Sequence, residues 1–148
     1  MSANSALAYA IVRIALGLDF FCHGFFRLLT LGAFHERVVE GFAKAHSPLP
    51  HALVSPYAFA ISFFEAAIGA LLLIGLATKP ALIATALLIL SFMFGSGSEQ
   101  KWTAVSTQLL YAVIIAGLVA FLAQNHYSVD RLLARNGDRG PAAKGTER

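Results

Sequence analysis

Ionisable side chains interrupt the first two apolar stretches of this sequence, where an apolar environment would make them costly. The first stretch carries two arginines, an aspartate and a histidine, and the second a single glutamate: Arg13, Asp19, His23, Arg27 and Glu65. A charge at the centre of a membrane helix costs about 3 kcal/mol, so such residues are rare, face the bundle interior and mark functional sites. We call these five residues the ionisable seam.

Helical spacing places the four seam residues of the first stretch on one face. At about 100° per residue they fall within an arc of roughly 120°. Asp19 and His23 are four residues apart, as are His23 and Arg27, so each pair can touch along one helix. Arg13 lies too far along the axis to join them, and its natural partner is Glu65. Two positive and two negative charges then form a neutral set, which leaves His23 free to titrate.

Two kinds of role are predicted for these side chains and for polar residues of the fourth apolar stretch. Catalytic roles are predicted for His23 and Glu65. Ligand-binding roles are predicted for the other polar groups: Arg13, Asp19, Arg27, Gln108 and Tyr111. The seam would bind a polar headgroup such as a quinone ring, or relay protons. A purely structural seam is the alternative, because buried ion pairs can also fix the register of packed helices.

Metal and thiol chemistry receive little support from the sequence. Four of the five histidines are scattered outside the apolar stretches, and none forms a pair at close helical spacing, so no metal site is predicted. The single cysteine, Cys22, excludes an internal disulfide. It lies opposite Arg13 on the helical wheel and is expected to pack as a small apolar residue.

The elements that must position the seam are membrane-spanning helices. Apolar residues make up 57% of the chain, above the roughly 45–50% of soluble domains, and the mean hydropathy is +0.68. A span needs about 20 apolar residues. Four stretches predict an all-α, integral membrane four-helix bundle within residues 1–129: about 6–31, 52–76, 80–95 and 102–123. The first is expected to be a retained helix and not a cleaved signal peptide.

The segments between the spans are predicted from their polar and helix-breaking residues. Residues 32–51 are expected to form a loop, with room for a short helix. Thr78 is predicted to cap the third span and Pro80 to occupy its first position. That span is short because glycine and serine residues 95–98 break it, and the polar tail, residues 130–148, is expected to be mobile.

Basic residues predict the orientation. The tail and Lys79 supply six, whereas the opposite connections supply three: Arg37, Lys44 and Lys101. Both termini should therefore be cytoplasmic, and in a bacterium the membrane would be the inner one. Because much of the net charge of +3 comes from the tail, it reflects topology, and a nucleic-acid partner is not expected.

Short motifs along residues 8–123 resemble the DoxX family of small four-helix membrane proteins. They are an Arg-x3-Gly opening, a His-Gly-x2-basic ending of the first span, and a glutamate leading a Gly/Leu-rich stretch that closes in Gly-x2-Thr-basic. The residues that match the polar positions are Arg13, His23, Arg27 and Glu65, whereas Asp19 is not assigned to the pattern. Arg27 stands where that family usually has lysine, Ala70 where a second glycine is common, and Lys79 where arginine is common.

The DoxX resemblance implies a link to membrane oxidoreductases, including quinone-reducing thiosulfate dehydrogenase, and to soluble redox or sulfur-transfer partners. The leading hypothesis is therefore a membrane subunit of a quinone-linked oxidoreductase system, with quinone as the cofactor to test. A non-enzymatic membrane accessory or assembly protein is the first alternative, and a small proton-coupled transporter is the second. The lipid bilayer is the predicted environment of the chain, and a homo-oligomer is a further alternative.

Overall fold

The computed structural model describes residues 3–137, which fold into α-helices joined by short turns and one 3-10 turn, without a β-strand in that range. The six α-helices within it are α1 (Ala3–Leu29), α2 (Leu31–Lys44), α3 (His51–Ile74), α4 (Thr78–Ser98), α5 (Trp102–Ala120) and α6 (Val129–Gly137). Helices α1, α3, α4 and α5 are long and apolar enough to cross a membrane. The predicted all-α membrane bundle is confirmed.

Helices α1 and α3 form the closest pair, and they are antiparallel. Their backbones meet at small residues: a Cβ on Gly24 would collide with the backbone of Ala66, and one on Gly69 with the backbone of Phe21. Such close approach is the usual packing of membrane helices, where small residues let van der Waals contact replace the missing hydrophobic drive. The register of this pair decides which seam residues can meet.

Helix α4 is longer than the third apolar stretch predicted. It continues through the glycine and serine residues 95–98 to 21 residues in all, because tertiary contacts support this segment. Phe42 of α2 packs against Gly95, Gln108 of α5 donates a hydrogen bond to Ser96, and Ser47 donates one to Ser98. The predicted break at residue 95 is wrong for this reason.

The turn between α3 and α4 is capped differently from the prediction. Gly75 ends α3 in the left-handed region with φ of 70°, and Ala77 precedes α4 with φ of 48°. Thr78 makes no side-chain cap. Instead the Asp130 carboxylate accepts the backbone N–H groups of Ala77 at 2.7 Å and Thr78 at 2.8 Å. Pro80 is the third residue of α4, still in the first turn, where no intrahelical donor is needed.

Two further helices lie where loop or tail was predicted. Helix α2 covers most of residues 32–51, and its exposed polar face includes a Glu40–Lys44 ion pair at 2.7 Å. Helix α6 covers residues 129–137 because Asp130 ties it to the start of α4. The remainder of the predicted mobile tail, residues 138–148, lies outside the described residues.

Helix α5 packs mainly on α4 and is the most exposed of the four spans. Only Ile115 and Leu118 of α5 are buried, whereas Leu110 and Val113 are about three-fifths exposed, at 60% and 62%. Helix α5 meets α1 near Phe20 and Tyr111, whose rings pack edge to face with centroids 6.2 Å apart. The polar residues of α1 and α5 converge beside this contact.

Candidate functional site

The buried acid of the seam pairs with the last arginine of α1. Glu65 is 3% exposed, and one of its carboxylate oxygens accepts a hydrogen bond from the Arg27 guanidinium. The same guanidinium lies over the Phe34 ring of α2, with 4.7 Å between its central carbon and the ring centroid. A basic residue of the first span therefore neutralises the acid of the second, as expected, but it is Arg27 and not Arg13.

Arg13 lies at the other end of the α1–α3 pair. It is 1% exposed and donates hydrogen bonds of 2.7 Å each to the backbone carbonyls of Leu72 and Tyr127. In the antiparallel register Gly24 lies against Ala66, so Arg27 reaches Glu65 while Arg13 reaches the last turn of α3. The predicted Arg13–Glu65 pair is wrong for this reason, and Arg13 connects α3 to the segment before α6.

Asp19 and Tyr111 join α1 to α5. The Tyr111 hydroxyl donates a hydrogen bond of 2.9 Å to Asp19, and His23 Nδ1 lies 3.4 Å from the other carboxylate oxygen of Asp19. His23 Nδ1 is also 2.8 Å from the Asp19 carbonyl. The predicted contact between Asp19 and His23 is confirmed. The His23 side chain is 50% exposed, so this end of the site is open to the surroundings of the bundle.

Gln108 completes the polar wall on α5. Its amide nitrogen donates to Ser96 of α4 at 2.9 Å, while its side-chain carbonyl is buried and makes no hydrogen bond within the described part of the chain. An unsatisfied buried carbonyl is costly, and a bound donor would relieve that cost. Gln108 therefore presents a free hydrogen-bond acceptor beside the seam.

These side chains surround a chamber of about 120 Å³, which we call the inner chamber. Six of the seven predicted site residues line it, and Arg13 does not. The lining also contains apolar residues that the sequence did not single out, since apolar wall positions look like ordinary core. The full lining is Asp19, Phe20, His23, Arg27, Glu65, Ile89, Phe92, Gln108 and Tyr111.

Because Arg13 does not line the chamber, the charges there differ from the neutral set that the sequence predicted. Asp19 and Glu65 contribute two negative charges and Arg27 one positive charge, which gives −1 when His23 is neutral. A net charge is expensive in a low-dielectric surrounding. One additional proton, on His23 or on one of the carboxyl groups, makes the set neutral.

The part of the chain that the structure describes contains no cluster of metal-ligand side chains. Nowhere within residues 3–137 do three His, Cys, Asp or Glu side chains come together in a way that could hold a metal ion. The chamber offers carboxylates, an imidazole, a phenol and a guanidinium as proton donors and acceptors. These groups favour hydrogen bonding and proton transfer.

Four apolar helices around a partly open ionisable chamber define a helical membrane protein with a polar site between its helices. The model of the family described as methylamine utilisation protein MauE matches residues 5–98, nearly two thirds of the chain, and the chain belongs to this family. No curated protein and no solved structure matches it.

The DoxX resemblance is wrong, since the family match is to a different membrane protein family. The short motifs behind that resemblance reflect packing and charge pairing that many membrane helix pairs need. Glycines such as Gly24 and Gly69 allow close helix contact, and an arginine facing a buried glutamate satisfies a buried charge. What DoxX relatives bind therefore lends no support to a function for this chain.

Proposed function

We propose that this protein is a membrane accessory subunit of an oxidoreductase system for methylamine utilisation, and that its ionisable site serves a membrane quinone. The observation that carries the proposal is the pairing of the buried Glu65 with the partly exposed Arg27, beside Asp19, His23 and Tyr111 around the inner chamber. The family name supplies the methylamine context. Ionisable groups held at membrane depth commonly mark ligand sites and proton relays.

The chemistry divides between the quinone, a partner and this chain. A bound quinone accepts two electrons and two protons, one proton at each carbonyl oxygen, and becomes a quinol. The proposal assigns the two electrons to a partner redox protein, which is itself oxidised as the quinone is reduced. Asp19, His23 and Tyr111 hold and pass protons, and Arg27 donates hydrogen bonds to a carbonyl oxygen.

Methylamine-dependent quinone reduction in membranes tests this proposal. The strain would lack the native gene and carry wild-type protein, Glu65→Gln, Tyr111→Phe or the control Thr107→Val, whose hydroxyl bonds only within α5. We expect Glu65→Gln and Tyr111→Phe to lower the rate at least about tenfold, in the range of general acid–base effects, and Thr107→Val to leave it unchanged. Equal protein levels would be verified by immunoblot.

Two results would contradict this function. One is an unchanged rate of methylamine-dependent quinone reduction when the gene is deleted. The other is purified protein that neither carries a quinone nor binds an added one. Either would leave the chamber without a redox role.

A non-enzymatic accessory role is the second candidate, and the internal pairing of the site favours it. Arg27 pairs with Glu65, and Asp19 accepts from Tyr111, so the polar contacts already stabilise the arrangement of α1, α3 and α5. In this case the chamber would fix helix register while the protein assists a partner. Normal growth on methylamine with Glu65→Gln, together with lost growth on gene deletion, would favour this role over quinone chemistry.

A further inference from the structure

A second, larger cavity lies next to the inner chamber, between the end of α1 and the start of α2. It measures about 610 Å³, and we call it the outer cavity. Its walls include His23, Phe26 and Arg27 of α1 and Phe34 and Arg37 of α2. His23 and Arg27 line both cavities, so they form the common wall.

The two cavities differ in volume and therefore in the size of ligand that each can hold. Pockets for organic ligands usually measure about 300–1,000 Å³, and a chamber of about 120 Å³ suits a few water molecules. The outer cavity falls within the ligand range. We propose that the outer cavity is the seat of the quinone headgroup and that the inner chamber supplies its protons across His23 and Arg27. This inference rests on the proposed function.

The chemistry of the outer cavity fits a ring with carbonyl groups. Arg27 and Arg37 provide N–H donors, and no carboxylate contributes to its lining within the described residues. Because Glu65 already neutralises Arg27, only Arg37 presents an uncompensated positive charge there. Carbonyl oxygens accept hydrogen bonds, so the guanidinium donors of Arg27 and Arg37 suit them.

Aromatic side chains supply the apolar part of the seat. Phe26 is 62% exposed on the outer side of α1, where a flat ring could pack against it. Phe34 lies behind the Arg27 guanidinium and holds it between the two cavities. Aromatic rings that pack edge to face or offset stabilise a contact beyond the area they bury. In the proposed seat, Phe26 packs against the ring and the guanidinium groups of Arg27 and Arg37 donate to its carbonyl oxygens.

The position of the outer cavity gives a lipid-soluble ligand a direct route. It lies beside the last two turns of α1, next to the end of the apolar span at Leu29. A quinone keeps its chain among the lipid tails while its polar ring moves near the membrane surface. The His23 side chain is 50% exposed and Phe26 is 62% exposed at this level, so the proposed route for the ring is sideways from the bilayer.

Binding of a short-chain ubiquinone analogue to the purified full-length protein in detergent tests the seat. Arg37→Gln and Phe26→Ala should each weaken binding at least about tenfold. Lys44→Gln is the matched control, because Lys44 also lies on α2 but outside the cavity and pairs with Glu40. It should change the dissociation constant by less than about twofold. Circular dichroism and monodispersity show which variants are folded, and Phe26→Ala gives a second test if Arg37→Gln fails to fold.

The possible outcomes distinguish the proposed location of the quinone headgroup from the proposed quinone function, on which it rests. One outcome is that Tyr111→Phe weakens binding while Arg37→Gln and Phe26→Ala do not. The ring then binds in the inner chamber, so the proposed seat in the outer cavity is wrong and the quinone function stands. If the wild-type protein binds no analogue, both fail. If phosphatidylglycerol occupies the cavity and the analogue does not displace it, the cavity is a lipid phosphate site and the proposed seat is overturned.

Discussion

Arg27 of α1 and Glu65 of α3 face each other across the closest helix pair of the bundle, and they differ in exposure. The Glu65 side chain is 4% exposed and the Arg27 side chain 29%. Arg27 also rests on Phe34 and lines both cavities, so it can keep contact with polar surroundings when its partner is lost. The two members of the pair should therefore respond differently to substitution.

Arg27→Gln should destabilise the protein by about 3 kcal/mol, because it leaves the Glu65 carboxyl buried without its counter-charge. Glu65→Gln should cost clearly less, since Arg27 is partly exposed. The double substitution should recover most of the loss seen in Arg27→Gln. Thermal unfolding in one detergent would measure all three variants. Simple addition of the two single effects would show that the pair is not energetically coupled.

Gly24→Ala should disrupt the α1–α3 contact, because the new methyl group would overlap the backbone of Ala66 and the helices must separate. Overpacking of this kind costs about 1–3 kcal/mol. The matched control is Gly117→Ala in α5, where nothing lies within 4 Å of the added Cβ. Melting temperatures in detergent would test the pair. Equal melting temperatures for both variants would contradict the close approach of α1 and α3.

Arg13→Gln should release the segment that precedes α6, because its two carbonyl acceptors, Leu72 and Tyr127, lose a charged donor. Hydrogen bonds to charged groups contribute about 1.5–3 kcal/mol. We therefore expect cleavage by chymotrypsin near Tyr127 to accelerate at least about tenfold. The control Lys79→Gln removes a cation near the same turn that makes no ion pair in the described structure. An unchanged cleavage rate in Arg13→Gln would contradict the proposed connection.

The cap of α4 should weaken in acid. Burial raises the pKa of Asp130, but hydrogen bonds from Thr78 and Ala77 outweigh it and hold the pKa below the ordinary 3.8. Because the folded-state pKa is lowered, the stabilisation is present at neutral pH and is lost as pH falls below about 3.8 through the folded value. Hydrogen exchange at the amides of Ala77 and Thr78 should then accelerate beyond its intrinsic pH dependence.

Asp130→Asn is the control for the acid effect, since asparagine also caps helices but does not titrate. Its amides at Ala77 and Thr78 should show no added acceleration in acid. Equal behaviour of wild type and Asp130→Asn across this pH range would contradict a charged Asp130 cap.

Both termini should lie in the cytoplasm, as the excess of basic residues in the tail and at Lys79 predicts. A reporter that is active only in the cytoplasm should work when fused at residue 148. The same reporter inserted after Lys44 of α2 should be inactive. The reverse pattern would place α2 and the outer cavity on the cytoplasmic side.

Composition and pattern determined the class of protein and most of the site. Four long apolar stretches require membrane-spanning helices, because backbone groups in lipid must be paired within the segment. The helical period placed Asp19, His23 and Arg27 on one face, and their cost in lipid indicated an inward orientation. Gln108 and Tyr111 were predicted on the same polar grounds, and both line the inner chamber.

Which of these side chains become partners depends on how the helices pack. The connection between α1 and α3 spans residues 30–50, so the local sequence does not fix their register. The packing of Gly24 and Gly69 fixes it, and thereby gives Glu65 to Arg27 and sends Arg13 to backbone carbonyls. Asp130 caps a helix that begins 52 residues earlier, a contact between distant segments that no local pattern encodes.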